Sequence, residues 1–172
     1  MGDGRVEWIH VAPAAGRPME SRERVRAMPG LGLEGDRYAL GTTRPTIRAT
    51  GDRDLTLIEG EVMDDLARMG LALEPGATRR NLTTRGIRLN ELVGRRFRIG
   101  SLECVGVRLA EPCTYMQQRV EKPVLEPLVH RAGLRALIRT DGEIAVGDPI
   151  VDLGEVEPVP AGPAATTTAA GL

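Results

Sequence analysis

Two features of this sequence could carry chemistry: a cysteine, Cys113, placed just after a strand-like segment, and a run of arginines upstream of it. Arg79, Arg80, Arg85, Arg88, Arg95, Arg96, Arg98 and Arg108 fall within 30 residues that hold only Glu91 and Glu103 as acids, a local excess of +6 in a chain of net charge −1. Guanidinium groups present planar forks of N–H donors that match phosphate and carboxylate. Arg95, Arg96 and Arg98 alternate along a strand-like stretch and read as a solvated face whose stems cover the core. Arg79-Arg80-Asn81 is a compact polar group close to Arg85-Gly86, and it reads as a candidate anion site. A thiolate becomes a nucleophile or a soft metal ligand where nearby positive charge lowers its pKa. Arg108 and Arg119 stand near Cys113 in sequence, and Pro112-Cys113 marks a strand-to-loop junction where a thiol would be exposed. The other reading of a lone cysteine is a small buried hydrophobe, and position alone leaves both open. Cys104 alternates with Leu102 inside a strand and reads as core.

Several standard sites are not expected. Structural zinc needs about four ligands at short local spacings, whereas His10, Cys104, Cys113 and His130 are scattered. No Cys-x-x-Cys supports dithiol chemistry. Gly30-Leu31-Gly32-Leu33-Glu34-Gly35 has the letters of a dinucleotide fingerprint, but it follows Pro29 and leads into Asp36-Arg37 rather than an apolar helix. Lys122 is the only lysine and lies in the polar Glu121-Lys122-Pro123, which leaves no suitable partner for pyridoxal phosphate. A Cys113–His130 dyad would rest on one histidine at a polar helix end. Aromatics make up 2% of the chain and the pI is near 6.2, so stacking platforms and a global positive field are both lacking and no nucleic-acid partner is expected. There is no apolar run of about 18 residues, and Met1–Arg5 lacks the basic and apolar regions of an export signal. A cytoplasmic chain with reduced thiols and no membrane partner is the expectation.

The elements that must position these residues are mostly short strands. Val6–Val11, Arg24–Met28, Asp54–Ile58, Arg96–Ile99 and Leu102–Leu109 read as strands, and Arg135–Thr140 with Glu143–Val151 reads as a hairpin turning at Asp141-Gly142. Val62, Leu66 and Met69 recur at helical spacing with Met63 beside them, predicting a helix from Glu59 to Met69 that Gly70 ends. A shorter helix is predicted over Val124–His130. The segment 41–53 reads as a surface loop, and the Pro/Ala/Thr-rich stretch 155–172 as a disordered tail after one domain, 1–154. The pattern predicts a mainly β fold with a few helices, closed or strongly curved into a barrel.

In order along the chain come Gly32-Leu33-Glu34-Gly35-Asp36-Arg37-Tyr38, Leu55-Thr56-Leu57-Ile58-Glu59, Arg80-Asn81-Leu82 with Gly86, and Leu92-Val93-Gly94 with Phe97 and Ile99-Gly100. Then follow Arg108-Leu109-Ala110-Glu111-Pro112-Cys113, Arg131-Ala132-Gly133-Leu134-Arg135-Ala136, and Gly142, Ile144 and Val146-Gly147-Asp148. This succession, over roughly residues 5–152, resembles the MOSC domain, named for the C-terminal domain of molybdenum-cofactor sulfurases. The resemblance implies a β-barrel-like fold, a basic pocket for the phosphate and pterin of molybdopterin, and one cysteine that ligates molybdenum or carries sulfur as a persulfide. By position, Cys113 is that catalytic thiol or metal ligand, Arg80, Asn81 and Arg85 hold the anionic end of the cofactor, and Asp36, Arg37 and Arg135 belong to the pocket wall. Ala110 stands where several relatives carry another cysteine, which removes a local resolving thiol. Three functions follow from the resemblance. One is a molybdenum-cofactor-binding reductase of N-hydroxylated compounds that draws electrons from a separate donor protein. The others are a metal-free sulfur carrier loaded by a cysteine desulfurase, and a non-catalytic pterin- or anion-binding module.

Overall fold

The computed structural model describes residues 3–42 and 52–157. Most of the expected loop (43–51) and of the expected tail (158–172) lies outside the described residues.

The chain runs through β1 (Gly4–Val11), β2 (Glu20–Arg22), β3 (Arg24–Met28), β4 (Gly32–Leu33), α1 (Arg37–Leu40), β5 (Leu55–Glu59), α2 (Gly60–Arg68) and β6 (Leu82–Arg85). A 3-10 turn (Leu89–Leu92) leads to β7 (Arg95–Ile99), β8 (Leu102–Leu109), α3 (Thr114–Arg119), α4 (Leu125–Leu128), β9 (Leu134–Ile138), β10 (Gly142–Ala145) and β11 (Pro149–Glu155). Strands β11-β7-β8-β9-β5-β6-β1 pair in that order and β1 returns to β11, closing a barrel. Strand β1 divides one edge: Gly4 and Arg5 face Ile150 and Pro149 of β11, while Ile9 to Val11 face β2. The pairings are antiparallel except β5–β6, which α2 joins as a strand–helix–strand unit. Fold class and the assignment of most strands agree with the sequence pattern.

Alternation fills the barrel. Leu55, Leu57, Leu82, Phe97, Ile99, Cys104, Leu134, Ala136 and Ile150 are all fully buried in one cluster. A three-stranded sheet, β10-β3-β4, adds Val25, Ala27, Leu33 and Ile144 to the same core. Helix α2 buries Val62 and Leu66 against Met116, Val120, Val124, Leu128 and Ala132 in a second cluster. Each of these valine, leucine and methionine side chains contributes about 1.5–3 kcal/mol by burial. This satellite core holds α3 and α4, and therefore the Cys113 segment, against the barrel.

The expected hairpin 135–151 does not form. Strand β9 pairs with β5 and β8, and the second half splits at Val146-Gly147-Asp148. Gly147 has φ +92°, and Asp148 Oδ2 accepts a hydrogen bond from Ala145 N at 2.9 Å, which turns the chain sharply. Strand β10 then joins β3, and β11 joins β7 in the barrel. The Asp141-Gly142 signal marks a real turn between strands that belong to different sheets. Helix α2 begins one residue after the predicted start, and Gly70, at φ +78°, follows its end. Helix α4 covers only the centre of the predicted 124–130 segment.

Candidate functional site

The Cys113 segment is held by the guanidinium of Arg80. Strand β8 ends at Leu109, and Ala110-Glu111-Pro112 carries the chain to Cys113, the N-cap residue of α3. Arg80, just before β6, donates from Nε to Ala132 O (2.8 Å) and from Nη2 to Ala110 O (2.8 Å) and Glu111 O (3.5 Å). It thereby ties the loop before Cys113 to the loop before β9. Burial first, and then the nearby Arg135 charge, push its pKa down to about 10, so it stays a cation at neutral pH. Gln117 completes the mounting: its Nε2 donates to Lys122 O (2.7 Å) and its Oε1 accepts from Val124 N (3.0 Å), joining α3 to α4. The Cys113 side chain is exposed, as the strand-to-loop reading anticipates, whereas Cys104 is fully buried and its thiol pKa is pushed up by that burial.

Beside Cys113 lies a cavity of about 290 Å³ whose wall includes Arg37, Arg53, Arg79, Arg80 and Arg135, together with Tyr38, Thr78, Tyr115 and Met116. Among the described residues no carboxylate belongs to that wall. Larger recesses of about 460 and 730 Å³ exist, but their charged groups are largely paired within the protein, as in Arg131–Asp65 and Arg24–Glu143. The Cys113 cavity differs. Arg79 Nε and Nη2 and Arg135 Nε and Nη1 are shielded from solvent and have no hydrogen-bond partner among the described residues. Buried donors left unmatched cost about 1–3 kcal/mol each. The pKa of Arg79 is lowered by burial first and then by Arg37, and that of Arg135 by burial first and then by Arg53. The cations repel one another across a gap that an anion would fill. Arg79 itself has φ +62°, a conformation costly for a side chain with a Cβ and typical of functional positions.

The remaining residues named from sequence have varied placements. Arg37 lies in the wall, held by its neighbour Asp36 (Nη1 to Oδ1, 3.1 Å) and donating from Nη2 to Arg79 O (3.4 Å). Asp36 supports it without lining the cavity, accepting also from Ala12 N and Tyr38 N at the start of α1. Asn81 is fully buried within the barrel. Its Oδ1 accepts from Thr56 N and Oγ1 and its Nδ2 donates to His10 O, joining β1, β5 and β6. Arg85 is not brought to the cavity. It bridges Glu7 (2.9 Å) and Asp64 (2.5 Å) on the outside of the barrel, and both carboxylates raise its pKa. His130 holds Glu111 through Nδ1 (2.8 Å), and no hydrogen bond joins it to Cys113 among the described residues. As the sequence pattern anticipates, Arg95 and Arg96 are surface partners of Asp152 and Glu103. Sequence reasoning gave no cavity role to Arg53, Tyr38 or Tyr115. Arg53 lies far from the arginine run in sequence and comes to the wall only through folding.

Among the described residues no three of His, Cys, Asp and Glu converge as metal ligands. A metal at Cys113 would therefore have to bring most of its ligands with it. No helix is long and apolar enough to cross a membrane.

Comparison with curated proteins finds no match. Among solved structures, the YuaD protein of Bacillus subtilis superposes with a TM-score of 0.71 at 15% identity, covering 87% of this chain and 94% of that one. YiiM of Escherichia coli superposes at 0.66 with 18% identity, covering 92% of this chain and 73% of that one. YiiM of Geobacillus stearothermophilus does so at 0.63 with 16% identity, covering 87% and 75%. These likenesses concern the fold. The MOSC domain family matches residues 32–151, which hold the barrel strands from β5 to β9, the Arg79–Arg80 corner and the Cys113 loop, and on that match this chain belongs to the MOSC domain family.

Proposed function

We propose that this protein binds a molybdenum-bearing pterin phosphate in the Cys113 cavity, with the thiolate of Cys113 as a ligand to the metal. The observation that carries the reading is the unmatched donor set: shielded N–H groups of Arg79 and Arg135 without acceptors among the described residues, in a wall to which no described carboxylate belongs, beside an exposed thiol. The residues present suit such a group. Arg79 and Arg135 offer N–H donors to its anionic end, and a soft thiolate is the ligand type a metal that carries its own dithiolene sulfurs would accept. Arg80 acts indirectly, fixing the backbone on which Cys113 is presented. When bound, the cofactor supplies a metal able to exchange an oxygen atom and two electrons, and a reductase of N-hydroxylated compounds served by a separate electron-donor protein fits that chemistry. The protein's own part is to neutralise the phosphate and hold the thiol at the rim.

A second reading, a metal-free sulfur carrier loaded by a desulfurase, draws support from one observation. Cys113 is exposed while Cys104 is sealed in the barrel, so a persulfide on Cys113 has no second thiol of its own chain poised to resolve it. Molybdenum analysis of wild type and Cys113→Ala, both expressed where the cofactor is made, decides between the two. Near-stoichiometric molybdenum in wild type and its loss in the variant is the expected outcome. Absence of molybdenum and pterin from both proteins, with persulfide on Cys113 by mass spectrometry, would overturn the first reading in favour of the second.

A further inference from the structure

Cys113, Arg79 and Arg135 line one cavity of about 290 Å³. The thiol is exposed, and it is near enough to Arg80 to act on it electrostatically. The Arg79 side chain is more than nine-tenths buried; its Nη1 donates to Arg17 O (2.7 Å), while Nε and Nη2 have no partner among the described residues. Arg135 Nε and Nη1 are in the same state. Glu111, two residues before Cys113, is engaged elsewhere: one oxygen accepts from His130 N (2.9 Å) and the other pairs with His130 Nδ1 (2.8 Å). Cys104, the only other cysteine in the sequence, is sealed in the barrel core, so no thiol of the same chain competes for Cys113. An accessible sulfur and a set of charged donors awaiting an acceptor therefore open onto the same small space.

From this arrangement we infer that Cys113 of the cofactor-free protein is a modification site for small acidic thiols, forming a reversible mixed disulfide whose carboxylate takes up the free donors of Arg79 and Arg135. The inference rests on the anion-binding reading of this cavity and adds a regulation to it: the sulfur proposed to hold the metal is the sulfur that the adduct caps. The co-reactant is the symmetrical disulfide of the acidic thiol. The Cys113 thiolate attacks one of its two sulfurs, a new S–S bond to Cys113 forms and the old S–S bond breaks. The second half leaves as a thiolate and takes up a proton from water, so Cys113 is oxidised and the departing half is reduced. The carboxylate of the retained half accepts charge-assisted hydrogen bonds from the arginines. A cavity of this size is at the lower end for small-ligand sites, which suits a small thiol rather than a cysteine of another protein. With Cys104 out of reach, removal of the adduct takes an external thiol acting by the same exchange in reverse.

The test follows adduct formation on Cys113 by peptide mass spectrometry, using the full-length protein made in a host without the cofactor. Three disulfides are compared at fixed pH and ionic strength: anionic oxidised glutathione, neutral 2-hydroxyethyl disulfide and cationic cystamine. A synthetic peptide of residues 110–117 gives the intrinsic rate of each reagent. After division by the peptide rates, oxidised glutathione should exceed the neutral disulfide by at least about tenfold, and cystamine should fall below it. Arg135→Met should lose most of that advantage. A change in thiol exposure or reactivity moves all three rates together, so the ratio isolates the contact with the acid. Arg98→Ala/Arg139→Ala removes exposed charge elsewhere and should keep the preference. Equal normalised rates for the three reagents, a preference undiminished in Arg135→Met, or its loss in Arg98→Ala/Arg139→Ala would each overturn the inference. Failure of the underlying reading looks different, because phosphate binding would then be absent or insensitive to Arg135→Met, and molybdenum content is decided separately.

Discussion

Replacing Arg135 by methionine should stabilise the ligand-free protein and weaken its hold on anions. The Arg135 guanidinium keeps two buried donors, Nε and Nη1, without partners among the described residues, and the charges of Arg53 and Arg108 press on it. Methionine keeps most of the stem's volume and removes both donors and the charge. At about 1–3 kcal/mol per unmatched buried donor, less the packing lost with the longer side chain, the net gain is about 1–3 kcal/mol. In a chain of this length each kcal/mol raises Tm by about 2–4 °C, so calorimetry should show a rise of at least about 2 °C. The companion variant Arg80→Met should behave oppositely. Arg80 matches the carbonyls of Ala110 and Ala132 at 2.8 Å, and losing it strands both in the interior at a cost of about 2–5 kcal/mol. Phosphate titrations on the same samples complete the test, with Arg135→Met expected to bind at least about tenfold more weakly. A lower Tm for Arg135→Met, or undiminished phosphate affinity, would refute the argument that unmatched donors mark the ligand site.

Iodoacetamide on the native protein should label Cys113 within minutes, with Cys104 labelled only after denaturation, as peptide mass spectrometry would show; comparable native labelling of both would contradict the burial of Cys104. Gly133→Ala should destabilise by more than about 3 kcal/mol in urea unfolding. There Gly133 has φ +115° and an added Cβ would come within 1.9 Å of Leu57 O, so a small loss would mean the barrel wall yields more easily than its packing implies. His10 gives a pH dependence of definite sign. Its ring stacks on Trp8 with centroids 5.8 Å apart, Nδ1 lacks a partner among the described residues, and burial lowers its pKa from 6.5. The unfolded chain then binds the proton more readily. Stability is full above about pH 6.5 and falls as pH drops from there toward the lowered folded pKa, by at most about 1.4 kcal/mol per pH unit. Urea midpoints should show that slope in wild type and lose it in His10→Phe, and identical slopes would exclude His10 as the source.

The strands were legible because their apolar residues alternate, as in Leu102, Cys104 and Gly106 of β8, and α2 because Val62 and Leu66 share a face. Strand partnership was not, since a turn signal such as Asp141-Gly142 says that the chain reverses and not which strand it meets next. Helix α3 escaped notice because Thr114–Arg119 has no stripe longer than Met116 and takes its support from Gln117 and the satellite core. For the site, the association of Cys113 with Arg80 came with the family resemblance, and the place of the thiol after Pro112 offered exposure as one of two readings. The division of labour among the arginines could not. Arg80, Arg79 and Arg85 are chemically alike, and only carbonyls and carboxylates supplied by distant segments make the first a structural tie, the second an unmatched donor and the third a surface bridge.

Closure of the barrel between β1 and β11 sets the order in which this chain can become a finished object. The seam consists of Gly4↔Ile150 and Arg5↔Pro149, reinforced by Val6 N to Asp148 O (2.9 Å) and Gly147 N to Val6 O (2.8 Å). Every one of those contacts spans most of the sequence. A ribosome that has delivered β1 through β9 holds an open curved sheet with bare backbone edges on β1 and β7, able to recruit a strand from another chain. Folding of the whole is expected to be slow for its size, as contacts of such separation require. A product truncated just before Pro149 would keep Cys113, Arg79 and Arg135 in its sequence yet lack the strand that makes the wall around them continuous.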